Sequence, residues 1–367
     1  MKRALYVYVG AIVMLFSLAL GLWNPLSALG PTPQEDVGEG SEAPPPKFQV
    51  DPFWPKPLPH GWITGEVAGT CVDSRDHLFI LNRRKLTEKE LRRGTPAPAV
   101  IELSGDGSVL NAWTPPVLPD TLHGCYVDHE DNVWIAGNGD AIVQKYAHDG
   151  STLLLQIGEK GNFDPTNQSK TLLNRPADVA VDPTNGDIYI ADGYGNHRVV
   201  VFDRNGRYLR QWGEQATPQE AEQGVGGKLL GTVHCVVLGK DGLVYVCDRK
   251  GNRIQVFDKT GRFRRNLWIH QGVGSNVAAS IGTAWDIAFS PDPSQTFLYD
   301  TDGEQEVLWI VGRQSGRILT GFGRPGHMAG EFTFLHTITV DSKGNLYAGE
   351  TIDGRRVQRF NLIGRGP

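Results

Sequence analysis

Three histidines, His123, His234 and His336, share one position in a pattern that recurs along this chain. Each lies five residues before the residue opening a polar turn, and each starts a short run of apolar residues: HGCYV, HCVVL and HTITV. The turn-opening residues are Asp73, Asp128, Asp182, Gly239, Ser290 and Asp341, at intervals of 51 to 57 residues, so the pattern has six copies. At the histidine position these copies carry Ala68, His123, Ala177, His234, Trp285 and His336. Histidine fills every second copy. Three imidazoles at alternate places of a sixfold ring converge on its axis, and three histidines with an open fourth position form the ligand set of a catalytic zinc. A lone histidine at a strand start is ordinarily a core or surface group. The other seven, His60, His77, His129, His148, His197, His270 and His327, fall in turns or at strand ends and are given no role.

A second set lies at the far end of the following strand, back at the same mouth of the ring. Arg83 and Arg249 stand ten residues after Asp73 and Gly239, and Tyr194 sits between Gly193 and Gly195 in the third copy. Two guanidiniums beside a metal suit a substrate carboxylate, which they can grip in bidentate fashion. A phenol near cations can serve as a base. Taken singly, Arg and Tyr at strand ends merely cap turns; their coincidence with the histidine position gives them catalytic roles.

The elements that must position these groups are clearest in residues 174–213. Period-two alternation there gives strands at 177–181, 187–191, 197–202 and 207–212, joined by turns at Thr184-Asn185-Gly186 and Asn205-Gly206. One such sheet cannot bury both faces alone. Six copies stacked around an axis make an all-β, six-bladed β-propeller whose first strands line the central channel. The sixth copy yields three strands, at 335–340, 345–349 and 356–361. Residues 47–51 (KFQVD) supply the fourth and close the ring, covering two sheet edges.

Residues 1–30 read as an export signal: Lys2 and Arg3 precede an uncharged apolar run from Ala4 to Trp23. That run exceeds the ~7–15 residues of a cleavable signal and approaches the ~20 that span a bilayer. A membrane anchor through residues 4–23 and a removed signal peptide therefore stand side by side. Residues 31–46 are Pro/Gly/Glu-rich and read as a disordered linker, leaving 47–367 as the propeller, exported from the cytoplasm. The net charge of -5 and the lack of basic runs interleaved with aromatics exclude nucleic acid as an expected partner. Cys71, Cys125, Cys235 and Cys247 are free to form disulfides in an oxidising compartment. Cys235 and Cys247 flank one hairpin and could pair; the alternative is four buried small apolar side chains.

The segments HGCYVDHEDNVWIAG, RPADVAVDPTNGDIYIADGYGNHRVVVFDRNGRYLRQWG, VHCVVLGKDGLVYVCDRKGNRIQVFD and LHTITVDSKGNLYAGE resemble the NHL-type repeats of peptidyl-α-hydroxyglycine α-amidating lyase. The resemblance covers nearly all of residues 48–362. It implies a six-bladed propeller that cleaves a hydroxyglycine peptide to a peptide amide and glyoxylate. It also implies zinc on His123, His234 and His336, with Tyr194, Arg83 and Arg249 completing the site. The chain departs from the family in two places. An acidic residue that contributes to a structural Ca2+ is Thr337 here, and a cysteine beside the tyrosine is Gly195, so the family's disulfide there is absent. No monooxygenase domain precedes the propeller, so a separate monooxygenase is the expected source of a hydroxyglycine substrate. Two other readings remain open: a propeller lactonase or hydrolase, which would need a calcium cage of acidic and amide side chains in the channel, and a non-catalytic NHL propeller that binds a partner.

Overall fold

The protein is described from a computed structural model, in residues 42–114, 117–119, 121–269 and 281–365. The apolar run of residues 4–23, most of the expected linker and His270 lie outside them. No helix among the described residues is long and apolar enough to cross a membrane.

Short apolar runs cut by polar turns become six four-stranded antiparallel sheets. Blade one is Glu66–Val72, Leu78–Arg83, Val100–Leu103 and Val109–Trp113. Blade two is Leu122–Val127, Val133–Gly137, Ile142–Tyr146 and Leu153–Ile157. Blade three is Pro176–Val181, Ile188–Asp192, Arg198–Phe202 and Tyr208–Trp212, each within a residue of the expected bounds. Blade four is Val233–Leu238, Leu243–Asp248, Arg253–Asp258 and Phe263–Trp268. Blade five is Asp286–Phe289, Phe297–Asp302, Val307–Gly312 and Ile318–Phe322. Blade six is Leu335–Val340, Leu346–Glu350, Arg356–Arg365 and, last in space but first in sequence, Pro46–Asp51.

The recurring aspartate has a local cause. Asp128 accepts the backbone N–H groups of Glu130 and Asn132 at 3.0 and 2.9 Å, and Asp73 and Asp341 do the same two and four residues on. The carboxylate thereby fixes the tight turn between the first two strands. The first strands touch their neighbours all the way round, blade six meeting blade one, so the ring is closed. Apolar clusters fill the gaps between blades; Tyr245, Cys247 and Ile254 of blade four, for example, pack with Ile287 and Leu298 of blade five.

Closure runs as the sequence indicates. Phe48, Gln49, Val50 and Asp51 pair with Leu362, Asn361, Phe360 and Arg359. The closing strand starts one residue earlier than expected, at Pro46, and Ala43 packs on the adjoining core while Glu42 bonds Ser315 Oγ. The disordered reading of residues 31–46 therefore fails from residue 42 onward. The Phe48 ring lies against Tyr299 and Phe322 of blade five, at centroid distances of 5.6 and 5.7 Å.

All four cysteines are bonded, which overturns the reading as free apolar side chains. Cys235–Cys247 ties the first two strands of blade four, and Cys71–Cys125 ties the inner strands of blades one and two. The second pair joins residues 54 apart on different sheets, and such a bond is visible only once adjacent blades are placed side by side.

Candidate metal centre

Each histidine is the second residue of an innermost strand, where the pairing to the next strand slips by a bulge. The slips fall between Leu122 and Cys125, between Val233 and Val236, and between Leu335 and Thr337. A bulge re-aims the side chain beside it. The three imidazoles meet on the axis with ring centroids 4.8 to 4.9 Å apart, and one ligand nitrogen of each lies within 4.8 Å of the others. All three residues are at most 3% exposed.

The odd-numbered blades contribute here too. His123 Nδ1 donates to the Ala177 carbonyl at 2.7 Å, and His234 Nδ1 donates to the Trp285 carbonyl at 2.6 Å. Ala68 holds the equivalent place beside His336, and its backbone interacts with that imidazole. An Nδ1–H held by a carbonyl fixes the tautomer and leaves Nε2 with its lone pair for a ligand. Burial, followed by the charges of neighbouring groups, holds His123 and His234 well below the ordinary imidazole value. Burial and then Arg83 and Arg249 push His336 down to about 3. The rings are neutral at pH 7, as metal ligation requires, and the donor set fits zinc.

Tyr194 follows Gly193 in the loop after Ile188–Asp192. A Cβ on Gly193 would overlap the backbone of Val233, so only glycine lets this loop press against the strand that carries His234. The result is that Tyr194 Oη lies 3.0 Å from His123 Nε2 and 3.1 Å from His234 Nε2. Arg249 Nη1 donates to the same oxygen at 3.3 Å. The base of each loop is locked by a buried ion pair, Asp192 with Arg198 and Asp248 with Arg253, both at 2.9 Å. The recurring arginine of the third strand is therefore structural.

Arg83 is brought near by the same strand geometry, and its charge is felt at His123 and His336. It is also tethered, by Glu66 at 2.9 Å and by the Leu122 carbonyl at 2.8 Å. All six expected residues thus gather at one mouth of the channel. Sequence reasoning missed two that hold them. Glu66 orients Arg83, and Trp285 stacks its indole under Arg249 at 4.4 Å. Trp285 stood in the histidine column, and an aromatic residue there was its signal.

Behind the histidines the channel widens into a cavity of about 280 Å³ that includes Asp178 and Asp286 in its lining. Burial raises both carboxyls, Asp286 to about 6 and Asp178 well above the ordinary value; the Asp286 charge adds to the rise of Asp178. Thr337, at the place of the acidic calcium ligand, donates to Asp286 at 2.8 Å and lies 3.2 Å from Thr70 Oγ1. Among the described residues, no cluster of three metal-binding side chains forms around it.

Comparison with known proteins agrees with this architecture. The NHL repeat family model matches residues 173–202 and 230–257. The chain is 27% identical over 302 residues to peptidyl-glycine alpha-amidating monooxygenase B of Xenopus laevis, covering 78% of this chain but 33% of that protein, so it spans about a third of that relative's length. It is 28% identical over 339 residues to human NHL repeat-containing protein 3, covering 85% and 84% of the two chains. It is 27% identical over 246 residues to a probable peptidyl-alpha-hydroxyglycine alpha-amidating lyase of Caenorhabditis elegans, covering 66% and 64%. A solved streptogramin B lyase shares the fold, with a TM-score of 0.52, 15% identity and coverage of 87% and 88%. The chain is a six-bladed β-propeller that matches the NHL repeat model in residues 173–202 and 230–257 and is similar in sequence to peptidyl-α-hydroxyglycine α-amidating lyases and to NHL repeat-containing protein 3.

Proposed function

We propose that the protein is a zinc-dependent lyase that cleaves the C–N bond of a peptidyl-α-hydroxyglycine or a closely related carbinolamide, giving an amide and glyoxylate. One observation carries this reading: three neutral imidazole nitrogens converge on a point touched by the Tyr194 hydroxyl, with Arg249 beside it.

His123, His234 and His336 would hold the ion, which when bound acts as a Lewis acid on the substrate hydroxyl. Arg249 and Arg83 receive the substrate carboxylate. The stacking on Trp285 and the tether to Glu66 hold each guanidinium in place, so binding loses little side-chain freedom. Tyr194 Oη, reacting as the phenolate, accepts the hydroxyl proton and passes it to the departing nitrogen. The electrons of that O–H bond form the aldehyde C=O, the C–N bond breaks with its pair going to nitrogen, and the proton ends on the amide nitrogen. Atoms balance without a further reactant. Burial of the histidines excludes bulk water from the axis and strengthens each of these interactions.

The substrate would come from a separate monooxygenase, and the site would act outside the cytoplasm on a soluble or anchored chain. Calcium is not part of this reading, because Thr337 offers a hydroxyl engaged with Asp286. The test is metal content together with glyoxylate release from a benzoyl-α-hydroxyglycine by the purified full chain. A second reading, a binding propeller with a structural metal, is favoured by the similarity to NHL repeat-containing protein 3 over nearly the whole of both chains. Stoichiometric zinc with no glyoxylate released would select it.

A further inference from the structure

The turn end of blade one gathers a set of groups unlike that of its neighbours. In blade two the buried Asp128 is met by Lys145 Nζ at 3.1 Å. Lys145 pairs with Trp134, six residues after Asp128; the counterpart in blade one is Glu102, which pairs with Phe79, six residues after Asp73. A carboxylate therefore stands where blade two places Lys145 and blade six places Arg359, which pairs with Tyr347, six residues after Asp341. A second exchange lies on the adjacent blade. Blade four sends Lys259 to Asp182 of blade three at 2.5 Å, whereas blade two sends His148 to Asp73 at 3.0 Å. His77 completes the group, with Nδ1 2.9 Å from Glu102 Oε1 and 3.4 Å from Asp73 Oδ2. Asp73 and Glu102 are each 5% exposed.

We propose that His77, His148, Asp73 and Glu102 form a second metal site, binding one divalent transition ion of the zinc type between blades one and two. Two imidazoles and two carboxylates are a tetrahedral zinc set and a poor one for calcium or magnesium, which take oxygen donors. Zinc bonds of ~2.0–2.1 Å in a tetrahedron put donors ~3.3 Å apart. Three of the six donor separations, 2.9, 3.0 and 3.4 Å, lie within a few tenths of an ångström of that value, and one donor atom each of Asp73, Glu102 and His148 falls within 4.8 Å of the others. Two carboxylates neutralise the dication, while neutral imidazoles add no charge. Arg75 Nη2 now reaches into the cluster, 3.0 Å from Asp73 Oδ2 and 2.7 Å from His148 Nε2. Its side chain is 54% exposed, so it can withdraw to solvent when a metal enters. The Cys71–Cys125 disulfide already joins the same two inner strands beside this turn, which holds the donors from the two blades in register. The cluster sits at the opposite end of the strands from His123, and the proposal does not depend on that centre or on catalysis.

The experiment strips the full chain of metal and titrates it with Zn2+ alone against a chromophoric chelator. His77→Ala/His148→Ala is expected to bind one equivalent fewer than the parent. Arg75→Ala removes a competing cation and no ligand, and is expected to tighten that same equivalent at least tenfold. Equal stoichiometry in the parent and the double variant would overturn the proposal. So would an affinity unchanged or weakened by Arg75→Ala, a result that a folding defect in the double variant could not mimic.

Discussion

Tyr194→Phe removes one oxygen and leaves the ring. That oxygen is 3.0 and 3.1 Å from two histidine Nε2 atoms and 3.3 Å from Arg249 Nη1. The ring itself stays wedged against His123 and His234 at centroid distances of 5.1 and 5.7 Å, so the loop has no cause to move. Two effects compete in size. Losing a neutral hydroxyl's hydrogen bonds costs about 1 kcal/mol of stability. Losing the proton acceptor costs ~10²–10⁴ in rate, or about 2.7–5.4 kcal/mol of barrier. The second exceeds the first several-fold, so the variant should stay folded and keep its zinc while kcat falls by at least about a hundredfold. The assay is glyoxylate release at saturating benzoyl-α-hydroxyglycine, with bound zinc measured on the same preparation. A wild-type rate would refute the role of Tyr194 as base. A lost rate accompanied by lost zinc would refute it too, since the phenol would then be serving the metal rather than the proton.

Arg249→Lys should reduce kcat/KM by about tenfold or more, because an ammonium cannot reproduce the bidentate fork. On a substrate lacking the carboxylate the variant should match the parent, and a loss of equal size there would contradict the carboxylate role. Deleting residues 47–52 should lower Tm by about 5 °C or more, since the half-buried Phe48 alone is worth about 2–3 kcal/mol; calorimetry showing an unchanged Tm would contradict ring closure by this strand. Asp300 is fully buried with both carboxylate oxygens lacking a partner among the described residues, and burial followed by the Asp302 and Asp286 charges holds its carboxyl well above the ordinary value. The folded state therefore binds this proton more tightly than the unfolded chain, and its stability falls as pH rises above the ordinary value of 3.8. Asp300→Asn should be more stable than the parent at pH 8 and lose that advantage towards pH 4; parallel curves of stability against pH would contradict it.

The ring and its mouth were legible because a propeller repeats. Once six turn-opening residues were aligned, every residue at a given offset shared one depth on the axis, and His123, His234 and His336 fell into a single column. Arg83 and Arg249 followed from the same offset count. What escaped were contacts between columns. Trp285 was visible as an odd aromatic, but its stacking on Arg249 depends on a loop from blade four turning towards blade five. Glu66 precedes the aligned segment, so nothing marked it as the partner of Arg83. Cys71–Cys125 and the Asp73 cluster both cross from blade one to blade two, and a one-dimensional pattern carries no information about which side chains face across that gap.

Ring closure also sets the order in which the chain can fold. The strand Pro46–Asp51 leaves the ribosome before any blade exists, yet its hydrogen-bonding partner is Arg356–Arg365, more than 300 residues away. Bringing such ends together costs about 5 kcal/mol of loop entropy, which only a nearly finished ring can offset. Blades one to five can dock in turn as they emerge, each on its predecessor. Phe48 has no seat until Tyr299 and Phe322 have been made, and no ladder until the final strand arrives. Until then the first-made strand waits as an unpaired, partly apolar edge, and closure becomes the slow, late step of folding.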